Sequence, residues 1–272
     1  MSKYNEAYTK PVLKWAGGKS QILGEIIPRM PDTYNSYIEP FFGSGAVYFA
    51  VAPGHAIIAD SNPELINLYR VIATDVEALI DELSTYENTE DVFYSMRELD
   101  WESLSPLKAA ARMVYLNKTC FNGLYRVNKK GQFNTPFANN KRTSYCDEVE
   151  IRKAALLLKT AELICGDYHN ILMERAQEND FIFLDPPYVP ISKYSDFKRY
   201  TKEQFGEDDQ RRLAEDVYTL SEKGCKVMLT NSNHPLVHEL YDRFHIEVFQ
   251  TRRMINKNGN NRTGEDVIVT TY

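Results

Sequence analysis

The chain has 272 residues, 43% of them hydrophobic and 26% charged, with a formal net charge of −6. That length can bury one substantial core plus a smaller appended or inserted unit, and the composition is that expected of a soluble globular protein. No apolar run is long enough to span a bilayer and the opening MSKYNEAYTKPVLKW has no apolar signal core, which excludes a spanning helix and makes the cytoplasm the expected location.

Near the start, Lys14-Trp15-Ala16-Gly17-Gly18-Lys19-Ser20 contains a G-K-S triplet. A phosphate loop also needs glycine at position 13, where Leu13 stands, so ATP binding is rejected. Instead, Trp15 and the cationic Lys19 suit an adenosine and a carboxylate, and a helix is expected at Gln21–Ile27. The first strand, Ser36–Ile38, runs through Glu39-Pro40-Phe41-Phe42 into Gly43-Ser44-Gly45, a glycine pair where backbone can approach a ligand closely. The third glycine of the dinucleotide fingerprint is replaced by Tyr48, which disfavours a nicotinamide or flavin cofactor. The next strand, Ala56–Ala59, is closed by Asp60, a carboxylate placed for two ribose hydroxyls.

Asn62-Pro63 caps a helix whose apolar face carries Leu65, Leu68, Tyr69 and Ile72, and Ser105-Pro106 opens another in the same way. Between Val76 and Ile151 the strand–helix alternation lapses. Helical segments there are followed by Phe121–Asn134, two short strand-like runs around a Lys129-Lys130-Gly131 turn, which predict a β-hairpin. From Arg112 to Cys146 the charged residues are Arg112, Lys118, Arg126, Lys129, Lys130, Lys141 and Arg142, with no acid among them; a second acid-free stretch carries Arg252, Arg253, Lys257 and Arg262. Local basic patches on an acidic chain can still meet a phosphate backbone.

Alternation then resumes. Strands are expected at Glu162–Cys165, Asp180–Leu184, Lys226–Leu229, His245–Phe249 and Asp266–Thr270, with a helix marked by Leu213, Val217 and Leu220. Gly166-Asp167-Tyr168 offers a carboxylate for an adenine amino group with an aromatic beside it. The pattern predicts a doubly wound, mainly parallel α/β sheet, whose ligands sit at the carboxyl ends of the strands. Cys120, Cys146, Cys165 and Cys225 lie far apart with no C-x-x-C pair, and His234 and His238 lack a third ligand, so no disulfide framework and no metal site are expected.

Asp185-Pro186-Pro187-Tyr188 follows the buried run Phe181–Leu184 directly. An exocyclic amino nitrogen is a poor nucleophile because its lone pair is delocalised into the ring. A carboxylate at Asp185 and the Pro186 carbonyl, each accepting one N–H, draw that nitrogen toward tetrahedral geometry, while Tyr188 can stack on the ring. The two prolines fix the backbone that presents these groups. The residue types therefore point to methyl transfer to an amino nitrogen, with S-adenosylmethionine as donor.

With these motifs in this order, the chain resembles the Dam-type (D12 class) site-specific DNA adenine-N6 methyltransferases almost end to end: K-W-A-G-G-K, E-P-F-F-G-S-G, D-S-N, F-N-G-L-Y-R-V-N with Asn134-Thr135-Pro136-Phe137, F-L-D-P-P-Y and R-R-M-I-N-K-N-G-N-N-R. The resemblance implies a Rossmann-like methyltransferase sheet (1–75 and 151–272) with an inserted helical and hairpin target-recognition domain (76–150). It implies donor contacts from Trp15, Lys19, Asp60 and Asp185, with Ala16, Gly17 and the loops around Glu39–Gly45 and Asp167–Tyr168 completing the pocket. It further implies double-stranded DNA as partner and an adenine flipped out of a short palindrome, GATC. Lys14, Leu124, Arg126 and Pro136 are then base readers, Asn128 a further DNA contact, and Phe121 and Asn122 enter the stack; Phe121 departs from a tyrosine frequent in the family. A monomer is expected. RNA or a protein glutamine as acceptor, and a silent DNA-binding regulator, stay open as alternatives.

Overall fold

The computed structural model describes residues 9–15, 17–128, 130–139, 145–190, 205–252 and 263–272. Ala16, Lys129, Lys141, Arg142, Arg253, Lys257 and Arg262, all singled out above, lie outside these residues, as does the side chain of Arg252.

The helix expected at Gln21–Ile27 is broken into a 3-10 turn at Lys19–Gln21, α1 (Leu23–Ile26) and a second 3-10 turn at Ile27–Arg29. Pro28 cannot supply the next i→i−4 donor, so the α-helix stops there. There follow β1 (Tyr37–Glu39), α2 (Ala46–Val51), β2 (Ala56–Asp60), α3 (Pro63–Thr74), α4 (Val76–Ser84), α5 (Glu90–Glu98) and α6 (Pro106–Thr119). The cap signals hold: the Asn62 side chain accepts from Leu65 N–H at 3.2 Å, and Ser105 Oγ accepts from Lys108 N–H at 3.4 Å. The rest is α7 (Glu148–Leu158), β3 (Ala161–Cys165), α8 (Tyr168–Arg175), β4 (Phe181–Leu184), α9 (Glu207–Glu222), β5 (Lys226–Ser232), α10 (Pro235–Leu240), β6 (His245–Arg252) and β7 (Thr263–Thr270). Among the described residues, no helix is long and apolar enough to cross a membrane.

The seven strands form one sheet in the order β3-β2-β1-β4-β5-β7-β6. β3 to β5 are parallel, and β7 pairs antiparallel with both β5 and β6. Successive residues of the central strands face opposite sides. Tyr37, Ile58, Phe181, Phe183, Met228 and Ile268 join a core with α1 to α7, whereas Ile38, Ile182, Leu184, Val227, Leu229, Val267 and Val269 join one with α8 to α10. Burial on both faces is why these strands read as continuous apolar runs.

Within 76–150, Leu79, Leu83, Phe93, Ala110 and Val114 share a core with Tyr37 and Leu65, and α6 packs on α3, α4 and α5. The predicted hairpin is reduced to isolated antiparallel bridges, Val127 with Phe133 and Cys120 with Phe137, and Phe121–Gly123 is a 3-10 turn. Side chains do part of the work of a ladder. Asn128 Oδ1 accepts from Lys130 and Gln132 N–H at 2.8 and 3.1 Å, which competes with regular pairing. Arg112, counted above in a basic run, is buried at 3% exposure against Glu64 and belongs to the core rather than to any phosphate-facing surface.

Candidate active site

The chain leaves β1 for β2 and β3 on one side, then returns to β4 and β5 on the other. Between β1 and β4 the strand order reverses, and in sheets of this kind the ligand crevice lies at the carboxyl ends of the two strands at that point. Glu39 ends β1 and Asp185 follows β4, so the glycine loop and the Asp-Pro-Pro-Tyr turn face each other there.

Asp185 is held from two sides. Lys19 Nζ lies 2.5 Å from its Oδ1, and Thr230 Oγ1 donates to the same oxygen at 2.9 Å. The Lys19 ammonium also donates to the Gly17 carbonyl at 2.7 Å and sits 4.7 Å from the centroid of the Tyr188 ring. Burial alone lowers the Lys19 pKa, but Asp185 and Tyr188 outweigh it and raise the group above its ordinary value. Burial pushes the Tyr188 hydroxyl up to about 12, with Lys19 pulling the other way. The turn itself is braced from β5 and α9: Gln210 Nε2 donates to the Pro187 carbonyl at 2.7 Å, Asn231 Oδ1 accepts from Val189 N–H at 3.0 Å, and Asn231 Nδ2 donates to Gln210 Oε1 at 3.1 Å. Pro186 is buried and Pro187 exposed.

The glycine loop is shaped by contact as much as by φ. Gly43 has φ +50 and a Cβ there would lie 2.9 Å from Trp15 Cδ1, so only glycine lets the indole approach. Gly45, at φ +65, caps α2, and a Cβ on it would meet the Phe42 ring at 2.3 Å. Ser44 beside them is buried. Asp60 binds the loop in place: Oδ2 accepts from Gly43 N–H and Oδ1 from Asn62 N–H, each at 2.9 Å. Each oxygen has a second lone pair for a hydroxyl donor. Burial raises the Asp60 pKa, opposed by these backbone donors. Across the crevice, Phe41 and Tyr168 lie with ring centroids 4.9 Å apart, just beyond Pro40 and at the start of α8. Asp167 caps α8, accepting from His169 and Asn170 N–H, and lies 3.5 Å from Arg212.

Glu39 is buried at 3% exposure and accepts from the Tyr37 hydroxyl at 2.7 Å. Burial, reinforced by the negative Asp185, lifts its pKa from 4.5 to about 8 against the Tyr37 hydrogen bond. Below 4.5 the carboxyl is protonated whether the chain is folded or not, and this contribution to stability is whole. As pH rises toward 8 the unfolded chain sheds that proton first and the contribution is lost, levelling off once the folded carboxyl ionises. Glu39→Gln stays neutral at every pH. In thermal unfolding it is expected to exceed wild type by several degrees at pH 8 and to match it near pH 5; an equal gap at both would count against this origin.

A second surface collects the other predicted residues. In 124–128 and again in 133–136 the burial alternates: Tyr125, Val127, Phe133 and Thr135 face the core, and Leu124, Arg126, Asn128 and Asn134 are only partly covered, with Pro136 exposed. Phe121, 56% exposed, and Asn122, at φ 58, stand beside them, and Phe121 N–H donates to the Pro136 carbonyl at 2.8 Å. Arg126 Nε and Nη2 donate to Asn134 Oδ1 and O at 2.7 and 3.2 Å, which holds the half-buried guanidinium against Asn134. Lys14 is exposed and its side chain packs against Gly123. Lys118 has its pKa lowered by partial burial and by the neighbouring charge of Lys14, so two cations crowd the rim of this surface.

Lys19 thus joins the glycine-rich N-terminal segment to the turn after β4. Thr230, Asn231 and Gln210 hold the turn after β4, and none of the motifs marked them. The i, i+4 pair has structural duties: His234 caps α10 through Nδ1, and His238 Nε2 is 2.7 Å from Asn233 Oδ1.

The crevice at the switch point and the outward loop surface belong to one continuous match. A family model described as D12 class N6 adenine-specific DNA methyltransferase covers residues 15–255. The type II methyltransferase M.MjaIII of Methanocaldococcus jannaschii is 40% identical, over 93% of this chain and 95% of its own length. M1.LlaDCHI of Lactococcus lactis, also named a type II methyltransferase, is 39% identical over 98% and 97%. The DNA adenine methylase of Escherichia coli is 34% identical over 99% and 96%. Similarity of this extent, spanning the glycine loop, the helices after β2 and the turn after β4, makes the chain a member of the D12 class N6 adenine-specific DNA methyltransferases.

Proposed function

We propose that this adenine-specific DNA methyltransferase takes its methyl group from S-adenosylmethionine and delivers it to an adenine flipped out of a short palindromic duplex site, GATC. The observation that carries the proposal is the position of Asp185, fixed by Lys19 and Thr230 at the carboxyl end of β4 and opposite the glycine loop at the end of β1.

The pocket has the donor groups such a cofactor needs. Asp60 keeps a free lone pair on each oxygen for ribose hydroxyls, Phe41 and Tyr168 offer aromatic faces for an adenine with Asp167 at the rim, and Lys19 and Trp15 close the side where a carboxylate belongs. Gly17 is exposed beside them, its carbonyl accepting from Lys19 Nζ, and Gly43 is buried under the Trp15 indole. S-adenosylmethionine supplies a sulfonium methyl, an electrophile that needs no covalent enzyme intermediate. Asp185 Oδ and the Pro186 carbonyl accept the two amine hydrogens and turn the nitrogen lone pair toward it, while the Tyr188 ring holds the base. One face of that ring already carries the Lys19 ammonium, so the base stacks on the other.

Residues 76–150 serve as the target-recognition region, with the outward face of 121–136 and Lys14 in the DNA groove. A base inside a duplex cannot reach Asp185, and the exposed Phe121 can fill the gap that flipping leaves. Arg126 presents an edge to guanine O6 and N7, a contact that contributes roughly 1–3 kcal/mol of discrimination. Arg126→Ala is therefore expected to relax preference at one base pair, about tenfold or more, in competition methylation of single-substituted duplexes; uniform weakening across all sequences would make Arg126 a phosphate contact. The protein acts as a monomer in the cytoplasm. Transfer of tritiated methyl from S-adenosylmethionine to GATC duplex, altered duplex, RNA and protein tests the whole proposal, and label confined to RNA or protein would sink it.

A further inference from the structure

Two segments far apart in sequence are joined by buried polar bonds at the boundary between the glycine-loop side and the loop surface. Asn117, on α6, has no exposed surface. Its Oδ1 accepts from Lys14 N–H at 2.9 Å, and its Nδ2 donates to the Lys14 carbonyl at 2.8 Å and, more weakly, to the Gly123 carbonyl at 3.4 Å. An amide buried in a helix face is costly unless its groups are satisfied. Here they are satisfied by the main chain of the N-terminal segment and of the loop that follows α6. The Lys14 side chain lies so close to Gly123 that a Cβ there would meet its Cδ at 2.5 Å.

One residue further, the Trp15 ring stacks on Tyr125 with centroids 4.8 Å apart and planes 21° from parallel. Tyr125 is 4% exposed and its hydroxyl donates to Glu64 Oε2 at 3.0 Å. Glu64 stands in the first turn of α3, just after Asp60, and its other oxygen meets Arg112 Nη1 at 2.7 Å. Arg112 in turn donates from Nε to the Met96 carbonyl at 2.8 Å and from Nη2 to the Arg97 carbonyl at 3.1 Å. Tyr125 is thus fixed on its ring by the cofactor-side tryptophan and on its hydroxyl by a buried charge network. Its chain neighbours are Leu124 and Arg126.

We infer that Asn117 and Tyr125 are positioning residues that lock Lys14–Trp15 and Gly123–Arg126 into one body, coupling methyl-donor binding to discrimination among duplex sequences. The inference rests on the proposed roles of Trp15 at the donor and of Leu124 and Arg126 at the bases. Donor binding that settles Trp15 settles the Tyr125 ring, and with it the two side chains that flank it. By linkage the correct duplex tightens donor binding by the same factor.

Calorimetric titration of S-adenosylhomocysteine into the full chain tests this, alone, with a duplex carrying the site the wild-type protein methylates, and with that duplex changed at one base pair. In wild type the correct duplex is expected to tighten binding at least about fivefold more than the altered one. In Tyr125→Phe, which keeps the ring on Trp15, and in Asn117→Ala, the ratio is expected to fall below about twofold, with affinity in the absence of DNA unchanged within the same margin. A purely structural role would lower melting temperature and all three affinities together. An unchanged ratio in both variants, or a wild type with no ratio to lose, overturns the inference. If Asn117→Ala fails to fold, Tyr125→Phe decides alone, since it removes a single hydroxyl. A wild type that methylates no duplex removes the DNA assignment itself, a failure visible without either variant.

Discussion

Asp185→Ala is expected to reduce methyl transfer to about one thousandth of wild type or less, while duplex affinity at fixed salt stays within a few-fold. The first half follows from removing an acceptor aimed at the amine, where loss of a single preorganised hydrogen-bonding group already costs roughly a hundred- to a thousandfold. The second follows from geometry. The outward face from Leu124 to Pro136, with Lys14 and Phe121, is built on α6 and its own turns and not on the Asp185 turn. Lys19 is left as a buried ammonium without its closest anion, and its pKa is expected to drop from its raised value. Labelled transfer and anisotropy titration on the same preparation separate the two effects; turnover within tenfold of wild type would remove Asp185 from the chemistry.

Arg112→Met is expected to have the largest effect on stability. The Arg112–Glu64 pair is almost fully enclosed, with side chains 4% and 5% exposed. Burial raises the Glu64 pKa, and Arg112 and the Tyr125 hydroxyl hold it down. Removing one partner of such a pair costs about 3–5 kcal/mol, because the other charge is stranded. For a chain of this size that corresponds to a fall in Tm on the order of 10 °C. Replacing Glu64 as well, with Leu, is expected to recover part of the loss, because no charge is then buried alone. Arg152→Met, which breaks an ion pair with Glu77 on the surface, is expected to leave Tm unchanged. Calorimetric melting of the four proteins decides it; an Arg112→Met protein as stable as wild type would mean that water reaches the pair.

The central strands were legible because both faces of the sheet are covered there, so apolar residues run without interruption, and the Asn-Pro and Ser-Pro caps mark two of the helices. β5 was cut short at Leu229, since Thr230, Asn231 and Ser232 are polar. They are nonetheless buried strand residues, and all three hold the segment after β4: Thr230 on Asp185, Asn231 on Val189 and Gln210, and Ser232 on the Val189 carbonyl. Polarity inside a strand registered as a loop because nothing in a linear pattern reports the partner across the sheet. Arg112 was misplaced for the same reason. It lies on α6 between Ala109–Ala111 and Met113–Val114, all buried, and only its apolar neighbours hinted that this cation points inward. The motifs located Asp60, Asp185 and the glycine pair, where chemistry restricts the residue type. They were silent on Asn117, whose bonds depend on segments that meet only after folding.

The alternation in 124–128 and in 133–136 limits how this surface can change over time. A segment with inward and outward residues in strict turn exchanges its two faces when one residue is gained or lost. An insertion between Arg126 and Val127 would turn Val127 to solvent and Asn128 inward, at the cost of core contacts. On the proposed role of this face in DNA recognition, descendants of this protein acquire new sequence preferences here by replacing side chains, while the length of each alternating arm stays fixed.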